Sequence, residues 1–267
     1  MIAAAAAPRQ PHFSARKDHK TLSADGCTVM SAFYLRQLSL QQKGYATPAL
    51  NDVLYLHFKN FGAIDNLVPY HGLKSLWLEG NALTAISGLS TLHSLRCLFL
   101  NQNAISTIQD IQHLHLHTLN ISNNLIKTTL GLPKTLCTLQ IAHNFICTLA
   151  DLEPLSICQD LTVLDISNNK ITDPATLAAL LPCTQLRVLS TLGNECARFT
   201  SNYRKTVVFM MKELVYFEDS PVSDHERLRI TAWGANGLDG ERAERERQNA
   251  ERVSGDQRAF DGMSCLI

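Results

Sequence analysis

LRCLFLNQNAI, residues 95–105, sets apolar side chains at Leu95, Leu98, Leu100 and Ile105 around Asn103. The same spacing recurs as Leu73-Leu76-Leu78-Asn81-Leu83, Leu116-Leu119-Ile121-Asn124-Ile126 and Leu136-Leu139-Ile141-Asn144-Ile146. It continues as Leu161-Leu164-Ile166-Asn169-Ile171 and, in eroded form, as Leu186-Leu189-Thr191-Asn194-Cys196. The asparagines step by 22, 21, 20, 25 and 25 residues. A unit this short buries its apolar face only against its neighbours, so the pattern predicts stacked coils.

The spacing is that of a leucine-rich repeat. It predicts an α/β solenoid with a parallel β-sheet on the concave side and 3₁₀ or short α-helical segments on the convex side. Subtracting one period from the first clear repeat exposes another coil at Leu54, Leu56, Phe61 and Ile64, with Lys59 in the asparagine position. That asparagine serves backbone groups of neighbouring coils, so its loss fits a terminal coil, and the expected count is seven. Outside the strands, Leu83-Ile86-Leu89-Leu92 and Ile146-Leu149-Leu152-Leu155 keep a spacing of three, which favours 3₁₀ turns. Asp173-Pro174 ahead of Ala175, Leu177, Leu180 and Leu181 predicts a capped helix.

Five segments follow from these boundaries. Residues 1–30 lack a hydrophobic period and are expected to be disordered. Residues 31–52 form a helical amino-terminal cap, with Phe33, Leu35, Leu38 and Leu40 ahead of a stop at Gly44. Repeats occupy 53–196. Residues 197–238 carry the apolar set Tyr203, Val207, Val208, Met210, Met211 and Leu214 and close the open end of the core. Residues 239–267 are a mixed-charge tail, expected to be a solvated helix or unstructured.

Lysine plus arginine and aspartate plus glutamate each total 24, so no net charge draws the chain to nucleic acid or an acidic membrane. No apolar run approaches the roughly 20 residues of a membrane span. The eight cysteines form no CxxC pair and no cysteine-rich flank, which points to reduced thiols and a cytosolic setting. His113, His115 and His117 cross from a convex segment into a strand without a nearby acidic or thiol cluster, so no metal site is expected. The chain has no phosphate-binding loop, nucleophile elbow or paired carboxylates on a pocket-forming element. Neither an enzyme nor a cofactor is expected.

The candidate site is the concave face. Strand side chains alternate, so one outward row reads Tyr55, Trp77, Phe99, Asn120, Gln140, Asp165 and Ser190. Beside it lie His57, Glu79 and Asn101, with His143 further along. Three successive aromatics would stack into one stripe, and exposed aromatics of this kind anchor protein interfaces. The expected ligand is therefore a protein, met by an aromatic end and an amide-rich end.

Two stretches are more specific than the leucines. YATPALNDVLYLHFKNFGAIDNLVPYHGLKSLWLEGNAL, residues 45–83, resembles the opening of the dynein axonemal assembly factor 1 family. NYRKTVVFMMKELVYFEDSPVSDHERLRITAWGANG, residues 202–237, resembles that family's repeat-capping segment, with Tyr203, Arg204, Tyr216, Asp219 and Trp233 at its signature positions. The repeats alone are also similar to those of the leucine-rich regulatory subunit of protein phosphatase 1. The family resemblance implies a non-catalytic cytoplasmic factor for preassembly of axonemal dynein arms, acting with dynein chains and chaperone or assembly factors and linked to cilia or flagella. The alternatives are a phosphatase 1 regulatory subunit and a spliceosomal leucine-rich-repeat protein.

Overall fold

A computed structural model describes the backbone of residues 21–264 and the side chains through residue 254. Seven strands stack in chain order: β1 (Val53–Tyr55), β2 (Ser75–Trp77), β3 (Cys97–Phe99), β4 (Thr118–Asn120), β5 (Thr138–Gln140), β6 (Val163–Asp165) and β7 (Val188–Ser190). All pair parallel to the next, and the register never slips. Each central leucine, from Leu54 to Leu189, faces inward and is fully buried. The chain is thus a leucine-rich-repeat solenoid of seven coils.

Two devices close each coil. The residue before the ladder position adopts positive φ in every coil: Phe58, Gly80, Gln102, Asn123, His143, Asn168 and Gly193. Glycine and asparagine reach that conformation at low cost, which explains four of the seven. The asparagine that follows then bridges coils. Asn144 accepts from the Ile126 amide at 2.9 Å and donates to Ile121, Ile141 and Ala142 carbonyls at 3.1 Å each. Asn81 does the same for the first coil, accepting from Lys59 and Phe61 amides. Because each asparagine serves the coil before it, the first coil has no use for one, and Lys59 stands there.

The convex side differs from the expectation of regular 3₁₀ turns. Coils two to four, whose steps are 20 to 22 residues, carry no helix among residues 83–136. Helix forms in the first coil as a single 3₁₀ turn, Val68–Tyr70, and in the two longer coils as α2 (Leu149–Leu152) running into a 3₁₀ segment Glu153–Ile157, and as Pro174–Leu180. The last of these is 3₁₀ rather than α, capped by Asp173 accepting from the Ala175 amide at 2.8 Å. In coils two and three the third-position residues point inward on isolated turns, with the Leu92, Leu95 and Leu114 amides donating to the Leu89, Leu92 and Ile111 carbonyls at 3.0 Å each.

At the amino end, α1 (Ala32–Gln41) is capped by Ser31 and buries Tyr34, Leu35 and Leu38. Phe33 and Leu40, expected in the core, are 63% and 51% exposed, because they fall off the face shared by residues 34, 35 and 38. Residues 21–30 correct the expected disorder. Leu22 bridges Thr28, Thr28 pairs with Phe61, and Met30 is buried. The outer edge of the first coil offers unpaired main-chain groups, and this segment meets them, as in the 2.7 Å bond from the Thr28 amide to the Asn60 carbonyl. Residues 1–20 lie outside the described residues.

At the carboxy end come α3 (Glu195–Phe199), α4 (Tyr203–Met210), β8 (Tyr216–Phe217) and β9 (Ser220–Pro221). β8 extends the sheet parallel to β7, and β9 turns back antiparallel, so the sheet has nine strands. α5 (Asp224–Ser264) is broken at Asn236 and Gly237, where Gly237 takes φ 64°. Beyond the break the chain runs back along its first half. Gln248 donates to the His225 carbonyl at 3.0 Å, and Glu241 pairs with Lys205 of α4 at 2.5 Å. The described part of the charged tail is therefore a helix anchored on the cap.

Candidate functional site: the concave face and its cap

The register brings Tyr55, Trp77 and Phe99 side by side, followed by Asn120, Gln140 and Asp165. Trp77 and Phe99 stack with centroids 3.8 Å apart and planes at 17°, and Tyr55 leans on Trp77 at 5.8 Å. The rings are half-buried, and Tyr55 is 43% exposed. The indole Nε1 donates to Ser75 Oγ at 3.1 Å, which fixes the ring's tilt. Stacking of this quality spends no further rotamer entropy when a partner lands on it.

The neighbouring row is polar. Asn101 Nδ2 donates to Glu79 Oε2 at 3.2 Å, and His57 sits edge-on to Tyr55. Among the described residues, His57 Nδ1 and Asn101 Oδ1 are buried without a hydrogen-bond partner, a costly state in a protein interior. Asn120 and Asp165 each fold back onto an amide two residues on, at 3.0 Å from Ser122 and 2.9 Å from Ser167. Those two groups are thereby already partly satisfied. Gln140 is half-buried in its row. His143 departs from the expectation: it occupies the left-handed turn after the strand, at the rim, bonded to Asn168 at 3.1 Å.

Gln42 adds a contact that lies outside the repeat pattern. Its side-chain amide accepts from the Tyr55 amide at 3.2 Å and donates to the Tyr55 carbonyl at 2.5 Å. It thus imitates a neighbouring strand and closes the sheet edge beside the first aromatic. A lone glutamine after a helix carries no sequence signal for this.

In the cap, Arg204 is the hub. It grips Glu226 through Nε at 2.7 Å and Nη2 at 3.0 Å, and donates to the Phe217 and Pro221 carbonyls at 2.9 and 3.0 Å. Tyr203 is buried, with its hydroxyl 2.8 Å from Thr191 Oγ1. Glu218 also bonds the Thr191 hydroxyl, and burial raises its carboxyl above the usual range. Thr191 is thus a polar link from the last coil to the cap rather than a decayed leucine. Tyr216 and Asp219 correct the expectation of structural roles: both lie on the surface, with the Tyr216 hydroxyl bonded to the Asp219 carbonyl at 3.0 Å. Phe217 and Glu218, between them, reach the interior.

Trp233 is half-buried, edge-on to Phe209 at 6.5 Å and 5.9 Å from Lys205 Nζ. Trp233→Ala is expected to cost about 1–2 kcal/mol, below the roughly 3–5 kcal/mol of a fully buried indole. Chemical denaturation measures it, and a loss at the upper value would place the ring in the core.

A family model described as Leucine Rich repeats (2 copies) matches residues 71–113, and one described as Leucine Rich Repeat matches residues 160–180. The protein named dynein axonemal assembly factor 1 homolog in Drosophila erecta is 39% identical over 255 residues, covering 91% of this chain and 16% of the relative. Dynein axonemal assembly factor 1 of Peromyscus californicus is 45% identical over 244 residues, covering 81% of this chain and 35% of the relative. The chain therefore spans between about a sixth and a third of the length of these relatives. Among solved structures, a leucine-rich-repeat protein of Leptospira interrogans aligns at TM-score 0.51 and 21% identity, over 61% of this chain and 42% of that one. That likeness concerns the fold alone.

Proposed function

We propose that this homologue of the dynein axonemal assembly factor 1 proteins is a non-catalytic scaffold that binds protein partners on its concave face during cytoplasmic preassembly of axonemal dynein arms. The name carried by its curated relatives supports the process. One observation carries the binding reading: Trp77 and Phe99 stack at 3.8 Å on a concave sheet, half-exposed. A core has no need of them there, since the leucines beneath already fill it. Dynein chains and chaperone or assembly factors are the partners proposed, met before delivery to cilia or flagella.

The paired variant Trp77→Ala, Phe99→Ala tests this. Tagged protein is captured from a lysate of ciliated cells and its companions identified by mass spectrometry. Loss of two interface aromatics of hot-spot character is expected to reduce recovery of dynein heavy chains by about tenfold or more. Circular dichroism checks that the solenoid persists. Unchanged recovery by the paired variant would sink the stripe as a binding site. Capture of the phosphatase 1 catalytic subunit or of splicing proteins in place of dynein chains would sink the process assigned.

A further inference from the structure

We infer that the concave face receives an extended acidic segment of a partner protein, with carboxylates at the edge where the strands begin and an apolar side chain on the Trp77–Phe99 stack. This rests on the stripe being a binding face, and it adds the chemistry of what binds. The residues immediately ahead of β2, β3 and β4 are Lys74, Arg96 and His117, all exposed. Two carboxylates near this edge are engaged at its ends, Asp52 by Lys74 at 3.0 Å and Glu213 by Arg187 at 2.5 Å. Arg96 lies between them. Its guanidinium reaches only the His93 and Leu95 carbonyls, at 3.1 and 3.0 Å, so among the described ion pairs its charge has no carboxylate partner.

Past the opposite end of β2 stands Glu79, and β6, three coils beyond β3, ends in Asp165. With Lys74 and Arg187 paired, the charge left over ahead of these strands is the positive one of Arg96, and the charge past the end of β2 is the negative one of Glu79. A phosphate backbone, negative along its whole length, would bring phosphates near Glu79 in the adjacent coil as well as near Arg96, and the chain has no net positive charge to offset that. A peptide segment with local acidic residues satisfies one edge without opposing the other. The geometry also sets a spacing. Arg96 and Phe99 are three residues apart on one extended strand, about 10 Å. On an extended ligand the side chains of one face are an even number of residues apart, so a carboxylate two or four residues from an apolar anchor, about 7 or 13 Å, brackets that distance.

The test is selection of a random displayed library of peptides about 12 residues long on the full chain, with Trp77→Ala, Phe99→Ala as counter-selection. Binders are expected to be rich in aspartate and glutamate close to an aromatic or aliphatic residue. A fluorescein-labelled consensus peptide is then titrated by anisotropy. Arg96→Glu is expected to weaken it by about tenfold and Arg96→Gln by a few-fold, and raising salt from roughly 50 to roughly 300 mM should weaken it several-fold. Arg96 is itself exposed, and circular dichroism verifies the fold of both variants. Binders that need Trp77 yet show no acidic enrichment would overturn this inference while leaving the stripe intact. Absence of any Trp77-dependent binder would overturn both. A labelled oligouridine that binds more tightly than the acidic peptide, and competes with it, would replace the protein segment with a nucleic acid.

Discussion

Asn144→Ala is expected to lower the unfolding free energy by about 3–5 kcal/mol, although it removes only a small amide. The side chain is 2% exposed and holds four main-chain groups from two coils. Truncation strands the Ile126 amide and weakens three carbonyls in a place water does not reach. A buried unpaired group costs about 1–3 kcal/mol, so loss of the bridge outweighs the side-chain entropy released. Asn144→Asp is expected to do no better. It keeps an acceptor for Ile126 but turns acceptor oxygens toward carbonyls and buries a charge. Asn81 supplies the internal control. It makes the same kinds of bond yet is only half-buried, so water replaces part of what is lost and Asn81→Ala should cost about 1–2 kcal/mol. Urea midpoints from circular dichroism report the difference, and amide exchange at Ile126 locates it, which matters because repeat arrays can unfold in parts. Equal small losses at both positions would mean that leucine packing, and not the ladder, holds the coils in register.

The ladder was readable in advance because its residues are identical and periodic, and so was the concave row, since register follows once the leucines are aligned. Lys59 illustrates the strength of that logic: a missing asparagine marked the end of the stack, and the bonds of Asn81 show why. Singular features were not readable. Gln42 closes the sheet edge by a folded-back amide that no pattern encodes. Thr191 breaks the leucine period, and nothing in that break signals that its hydroxyl joins Tyr203 and Glu218 across 12 and 27 residues of chain. Residues 21–30 lack a hydrophobic period because they add main-chain pairing to an existing edge rather than a face of their own. The tail helix is legible as helix, but its return along α5 depends on one conformation at Gly237.

Arg204→Ala is expected to destabilise the cap by about 2–4 kcal/mol, the largest single loss foreseen outside the repeats. The guanidinium joins three pieces of chain: α4, which carries it, the β8–β9 turn through two carbonyls, and α5 through Glu226. It also lies over the Phe217 ring at 5.8 Å. Arg204→Lys retains the charge but not the planar fork, so about half of the loss should remain. The effect should depend on pH with a definite sign. The hydrogen bond from Arg204 holds the Glu226 carboxyl below its usual 4.5. A depressed carboxyl contributes stability that is present above 4.5 and lost as pH falls through the folded value. Glu218 runs the other way: burial raises it, so its contribution is complete below 4.5 and lost as pH rises through the folded value. The Glu218 charge in turn helps hold Arg204 protonated, and by reciprocity loss of that cation makes the ionised Glu218 costlier at neutral pH. Both terms widen the gap between wild type and Arg204→Ala as pH rises, so it should be larger at neutral pH than well below 4.5. Thermal melts of the two proteins across that range measure it. A gap of constant size would assign the arginine's contribution to packing over Phe217 and remove the ion pair from the account of how the solenoid is closed.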